Sequence, residues 1–254
     1  MISAFKVEKL QVAVYPDRRS AGRQAALVVR DRMVNLMSRQ TEVRMIFAAG
    51  PSQNEFLDEL SAVNGVDWSK VVAFHMDEYV GLKMDSNELW GKFMRDKLFG
   101  KLNFKETFYL NSEPKSPEEE CNRYAALIND GPIDIVCMGI GENGHIAFND
   151  PGVADFKDPR TVKLVDLDAA CRQQQVHDGC FASLEQVPKQ ALSLTIPPMF
   201  SAHFLSIVVP GPTKSRAVRD SLKGEVSTRC PASILRRHSD AIMFLDVHSA
   251  AEVM

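Results

Sequence analysis

Short apolar runs alternate along the chain with longer segments of helical periodicity. The runs Leu10–Tyr15, Val43–Ala49, Val71–His75, Ile133–Ile140, Ala191–Ile196, His203–Val209 and Ala241–Leu245 read as strands. Several are rich in β-branched residues and apolar on both faces, the pattern of strands covered by helices on each side. Between them, Arg18–Ser38, Gln53–Val63, Ser86–Phe99, Pro117–Asn129 and Lys214–Leu222 carry helical spacing. Ser116 is placed to cap the fourth, with Pro117 at its first position and Glu119 in reach for a capping box. The alternation predicts an α/β fold with a doubly wound, largely parallel sheet and helices on both faces. No internal repeat, low-complexity tract or long linker interrupts it, so residues 1–254 are read as a single domain. The loop-rich stretch Gly141–Arg160 is the expected functional insertion.

In such sheets ligands sit beyond the carboxyl ends of the strands. Four of the predicted strands end in unusual chemistry. Val43–Ala49 runs into Gly50-Pro51-Ser52-Gln53-Asn54, and Val71–His75 into Met76-Asp77-Glu78-Tyr79. Ile133–Ile140 runs into Gly141-Glu142-Asn143-Gly144-His145, followed by Ile146-Ala147-Phe148-Asn149-Asp150-Pro151. His203–Val209 runs into Pro210-Gly211-Pro212-Thr213-Lys214. The placement rule therefore collects a turn at a helix N-terminus, a carboxylate pair, a His/Asp loop and a lysine at one rim.

Each piece has a plainer reading. The glycines at 139, 141 and 144 mimic a dinucleotide fingerprint, but the strand is central and no clean helix follows. A lone histidine more often hydrogen-bonds its own loop; the company of Asp77, with Asp150 close enough to orient the imidazole, points to acid–base work by His145. Asp77 and Glu78 are neighbours on an extended segment and should face opposite ways, so one of them meets the ligand. Ser52 is placed as a helix cap or, with Gly50 and Gln53, as part of an anion-binding turn. Lys214 in a first helical turn opposes the helix dipole, which a phosphate partner would explain.

Composition narrows the class further. Lys plus Arg number 30 against 33 Asp plus Glu, for a net charge of −3, with cations scattered rather than clustered. That excludes a general nucleic-acid surface but not a pocket for one small anion. Five dispersed cysteines show no CxxC spacing, and no histidines show zinc-ligand spacing, so neither a disulfide framework nor a metal site is expected. The opening MISAFKVEKL lacks the apolar core of a signal peptide, and no run is long enough to span a membrane. A reducing cytoplasm is the expected setting, and self-association into a homo-oligomer is left open.

Taken together, Phe74–Leu82, Gly139–Pro151, Gln186-Val187-Pro188-Lys189 and Thr213-Lys214 resemble the glucosamine-6-phosphate deaminase (isomerase) family. The resemblance runs in order from about Val43 to Asp246. It implies a Rossmann-like domain, needing no metal or cofactor, that converts an amino-sugar phosphate and water into a ketose phosphate and ammonia. By resemblance, Asp77 is the base that moves a proton between C2 and C1, and Glu78 lies beside it. His145 opens the sugar ring, and Asp150 stands where the family has an assisting glutamate. Lys214 and Gly50 belong to the phosphate site, with Ser52 and Gln53 in the same turn. Asn143 replaces an aspartate two positions before the histidine. An Ala-Ala-Gly-Pro-Ser-Gln-Asn turn replaces a threonine- and glycine-rich loop. Arg172 is the candidate for a substrate-binding arginine upstream of the Gln-Val-Pro-Lys element. The family's effector-site cations are partly matched near Arg160 and Lys163. Galactosamine 6-phosphate would need the same chemistry. Two further classes compete: a 6-phosphogluconolactonase, which shares a Gly-His loop, and a non-catalytic sugar-phosphate sensor.

Overall fold

The computed structural model describes residues 1–254. Its core is an eight-stranded sheet in the order β1-β2-β11-β10-β7-β3-β4-β6. The strands are Ser3–Val7 (β1), Leu10–Tyr15 (β2), Val43–Phe47 (β3), Val71–His75 (β4), Glu106–Phe108 (β6), Ile135–Met138 (β7), Phe204–Val209 (β10) and Ala241–Asp246 (β11). β1 runs antiparallel to β2, with Ser3 opposite Val14, and every other pairing in this sheet is parallel.

Helices cover both faces, as the two-sided apolar strands require. On one face α1 (Arg18–Met37) and α2 (Asn54–Ser61) pack Ala25, Val29, Phe56 and Leu60 against Met45, Phe47 and Ala73. On the other, α4 (Pro117–Asn129) and α7 (Ser215–Lys223) pack Tyr124, Ile128, Val218 and Leu222 against Ile46, Phe74 and Val136. Alternate residues of β3 thus serve opposite cores, the period-two geometry of a pleated strand. The α1 start is fixed by Asp17, whose carboxylate accepts from Ser20 N at 2.7 Å. The Ser116 hydroxyl accepts from Glu119 N at 3.2 Å, the expected cap of α4.

The chain order reveals where a ligand belongs. From β3 the chain steps outward to β4 and β6, then returns to β7 on the other side of β3 and continues to β10 and β11. The order reverses between β3 and β7, and the crevice beyond their carboxyl ends is the switch point at which open α/β sheets bind ligands.

The main sheet is largely parallel, as expected, but one expected strand lies outside it. Residues 191–196 leave the main sheet. Residues 191–194 fall in β9 (Gln190–Leu194), the middle of a second, three-stranded antiparallel sheet with β5 (Asp77–Tyr79) and β8 (Val162–Asp166), and Ile196 already begins a helix. The chain passes from one sheet to the other within two residues, since β4 ends at His75 and β5 begins at Asp77. A separate core of Tyr79, Trp90, Phe148, Val165, Leu167, Cys171, Phe181, Val187 and Ala191 holds this sheet in place. Helix α3 begins at Trp90 rather than Ser86 and ends in one π turn, Arg95–Phe99. Two helices lie outside the expected set, α5 (Ala169–His177) and the short α6 (Ile196–Phe200). No helix is long and apolar enough to cross a membrane.

Candidate active site

A cleft lined by polar and apolar side chains opens at the switch point. Its lining comes from the loop after β3, from β5, from the loop after β7, from α5 and from Lys214. Of the residues singled out in the sequence, Gly50, Ser52, Gln53, Asp77, His145 and Lys214 face it together.

The loop after β3 turns sharply at Gly50, whose φ of 117° lies in the region that L side chains avoid. A single 3-10 turn, Pro51–Gln53, then leads into α2. Ser52 is not the cap of that helix; its hydroxyl accepts from Gln53 Nε2 at 3.2 Å, and the same amide donates to Val208 O at 3.1 Å. The turn is thereby tied to the end of β10. Lys214 closes the 3-10 turn Pro212–Lys214 after the same strand. Burial pushes its ammonium below the ordinary lysine range, while Asp178 and Glu142 pull in the opposite sense.

Asp77 begins β5, paired with Ser193 of β9. Burial, reinforced by the like charge of Glu78, pushes its carboxyl up to about 8. Glu78 points the other way, as neighbouring residues on a strand must. Its carboxylate accepts from Tyr79 N, Trp90 N and Gly91 N at 2.9, 3.1 and 2.8 Å, capping the start of α3. Glu78 is therefore no lining residue of the cleft, a correction to its placement among the ligand-binding groups.

The histidine loop is held from three sides. Ala147 takes a left-handed φ of 48°, uncommon for a residue with a Cβ and a sign of local constraint. Asn149 Nδ2 donates to Ile146 O and Leu194 O at 2.9 and 2.8 Å, and Phe148 N donates to Ser193 Oγ at 3.0 Å. The imidazole lies flat on Gly141, where a Cβ would stand 2.2 Å from the ring. His145 Nδ1 is 2.9 Å from Asp150 Oδ1, and Asn143 Nδ2 donates to the same oxygen at 2.9 Å. Although burial raises the Asp150 carboxyl, the hydrogen bond and charge of His145, with help from Asn143, hold it below the ordinary range. An ionised Asp150 can only accept, so Nδ1 carries the proton and Nε2 is left as the working nitrogen. Asn143 also accepts from His145 N at 3.0 Å. It lies behind the pair rather than on the cleft wall, and holds the loop without contributing charge.

Arg172 requires a second correction. Its guanidinium donates to Val187 O at 3.0 Å and to Leu184 O, which directs it away from the cleft. The same helix instead presents Gln174, Gln175 and Asp178 to the cleft. The sequence reading missed all three. Their available signal was Asp168, an N-cap residue that accepts from Cys171 N at 2.6 Å and marks the start of α5.

A buried carboxyl with a raised pKa, an oriented imidazole and a lysine now face one cavity, a set suited to proton transfer on an anionic substrate. Residues 16–244 match the model of the glucosamine-6-phosphate isomerases/6-phosphogluconolactonase family. The chain belongs to this family. A glucosamine-6-phosphate deaminase of Listeria innocua is 34% identical over 235 residues, 92% of this chain and 97% of that protein. Among solved structures, a monomeric glucosamine-6-phosphate deaminase superposes with a TM-score of 0.87 at 28% identity, covering 95% of this chain and 99% of the other. A 6-phosphogluconolactonase of Thermotoga maritima superposes with a TM-score of 0.76 at 16% identity, over 94% of this chain and 100% of that one, which shows a shared fold.

Proposed function

We propose that residues 1–254 act as one amino-sugar phosphate deaminase domain. It would convert glucosamine 6-phosphate, or its galacto epimer, plus water into a ketose 6-phosphate plus ammonia. The observation that carries the reading is the pairing, in one cleft, of a buried carboxyl raised to about 8 with a histidine oriented by an ionised aspartate. In this scheme His145 Nε2 moves the proton that opens the sugar ring, and Asp150 stabilises the imidazolium that forms. Asp77 then takes the proton from C2 and returns it to C1. The resulting intermediate hydrolyses at C2, releasing the nitrogen as ammonia. Lys214 and the Gly50–Gln53 turn hold the phosphate at the far end. A carboxyl with a pKa near neutrality suits this role, because it both accepts and returns a proton at working pH. Five unpaired cysteines fit a reducing compartment, and we assign the activity to the cytoplasm.

A substrate panel tests the reading. Glucosamine 6-phosphate and galactosamine 6-phosphate are each followed for ammonia and ketose phosphate together, with 6-phosphogluconolactone run in parallel. Ammonia and ketose phosphate in equal amounts from one amino sugar support it. Efficient lactone hydrolysis with no ammonia from either amino sugar overturns it.

A further inference from the structure

The histidine pair has a third neighbour that no spacing in the sequence announces. Cys171, in the first turn of α5, comes up behind Asp150. His145 Nδ1, an Asp150 carboxylate oxygen and Cys171 Sγ all lie within 4.8 Å of one another, and no second group of His, Cys, Asp or Glu is gathered in this way. Asp150 Oδ2 is independently unusual: the residue is 0% exposed, yet no N–H or O–H group reaches this oxygen, and the Cys171 thiol is the one polar side chain left to serve the carboxylate on that side. A buried carboxylate oxygen served by no more than a weak thiol donor is an unmet demand for positive charge.

We propose that His145, Asp150 and Cys171 form an inhibitory binding site for a soft divalent cation, with zinc the best match. Imidazole, carboxylate and thiolate are the three zinc ligand types, bound at about 2.0–2.3 Å, so their atoms must stand about 3.5 Å apart around a tetrahedral ion. The His145–Asp150 separation of 2.9 Å must open slightly and the longer separations, up to 4.8 Å, must close. Small side-chain rotations accomplish both. A water carried in with the ion would complete the tetrahedron behind the imidazole. The ligand set prefers zinc to magnesium or calcium, which favour oxygen alone.

The charges balance. The thiol of Cys171 gives up its proton to solvent on coordination, and the Nδ1 proton of His145 moves to Nε2. One thiolate and one carboxylate then neutralise the ion, leaving no net charge in a buried place. The same rearrangement explains inhibition. With Nδ1 on the metal and Nε2 protonated, the imidazole can no longer accept a proton from the cleft side. Asp150, occupied by the ion, no longer orients it.

Cobalt serves as a visible stand-in for zinc, added to metal-free enzyme without substrate, so the binding result does not depend on what the enzyme deaminates. The expected result is a thiolate-to-cobalt charge-transfer band with tetrahedral d–d absorption, displaced by one equivalent of zinc. Cys171→Ser keeps the volume and should remove that band. It should also weaken zinc inhibition, measured relative to the variant's own uninhibited rate, by at least about tenfold. Absence of the band in the native protein overturns the proposal. So does a band, or a zinc sensitivity, that survives Cys171→Ser, since it would belong to another thiol. Should Cys171→Ser not fold, His145→Gln gives the same decision from cobalt affinity alone: a drop of about tenfold or more is expected, and an unchanged affinity refutes the site.

Discussion

Asp77→Asn should inactivate the enzyme and stabilise it at the same time. The carboxyl is 8% exposed, and its pKa in the folded protein is raised from 3.8 to about 8. A raised carboxyl pKa means that folding favours the neutral form. The unfolded chain ionises as pH climbs past 3.8, while the folded chain resists until about 8. Stability contributed by this residue is therefore greatest below the unfolded pKa and declines across that window. At pH 7 about three pH units of the window have been crossed, at about 1.4 kcal/mol each, for a ceiling of about 4 kcal/mol. Both causes of the shift, burial and the charge on Glu78, are removed by an uncharged isostere, so a gain of up to about 4 kcal/mol at pH 7 is expected on replacing Asp77. Below pH 4 the gain should vanish, because Asp77 is then neutral in both states. Urea unfolding of the two proteins at several pH values measures this directly. In the same variant, ammonia release and solvent-deuterium exchange at the substrate carbon should both be lost while phosphate-dependent binding persists. A stability gain that is absent at pH 7, or equally large at pH 4, would refute the burial argument. Exchange at the native rate would show that Asp77 is not the base.

Other expectations follow from the same geometry. Lys214→Ala removes a charge-assisted contact worth about 1.5–3 kcal/mol, so the Michaelis constant for the phosphorylated substrate should rise about tenfold to a hundredfold; an unchanged constant would put the phosphate elsewhere. Asp150→Asn keeps the shape but not the charge, and turnover should fall about a hundredfold with little change in substrate binding; native turnover would make the pair purely structural. Glu78→Gln removes the like charge that helps raise Asp77, so the rising limb of the kcat/KM profile should move to lower pH. A limb that stays put would show that the two acids do not interact. Exhaustive chelation should leave deamination intact or faster, and activity lost on chelation but regained with metal would contradict both the proposed chemistry and an inhibitory site.

The six inner strands of the main sheet were legible because they are short branched apolar runs with few alternatives; the edge strands β1 and β6, partly exposed and interrupted by Lys6 and Glu106, were not. β2, β4 and α4 match their expected limits, and each end of β3, β7, β10 and β11 falls within two residues of the expected one. The second sheet was not. β5 is three residues long and two of them are acids, so no propensity marks it. β9 reads as a strand, but nothing in its composition says that it pairs antiparallel with β5 and β8 rather than joining the parallel array. Helix α5 was hidden for a different reason. Its sequence AACRQQQVH looks solvent-bound, yet Gln174 and Gln175 are buried because they line the cleft. For the same reason Arg172 looked like a ligand contact, when its position on the helix turns it toward Leu184 and Val187.

These omissions share a physical origin, since the site lies on the seam between the two sheets. The main sheet contributes the parts of an anion site: the turn after β3, the start of the loop after β7 and the lysine after β10. Those parts follow apolar, fully buried strands and announce themselves. The small sheet contributes the acid–base geometry. Its β9 places Ser193 opposite Asp77 while the hydroxyl of the same serine receives Phe148 N, so one buried residue ties the strand that carries the carboxylate to the histidine loop. The high pKa of Asp77 has the same source. A carboxylate at the end of an open strand would be solvated, but here the chain passes Met76 into the second sheet, and Asp77 is buried there at the cleft wall. The sequence names the reacting groups. Their reactivity is conferred by the sheet that the sequence conceals.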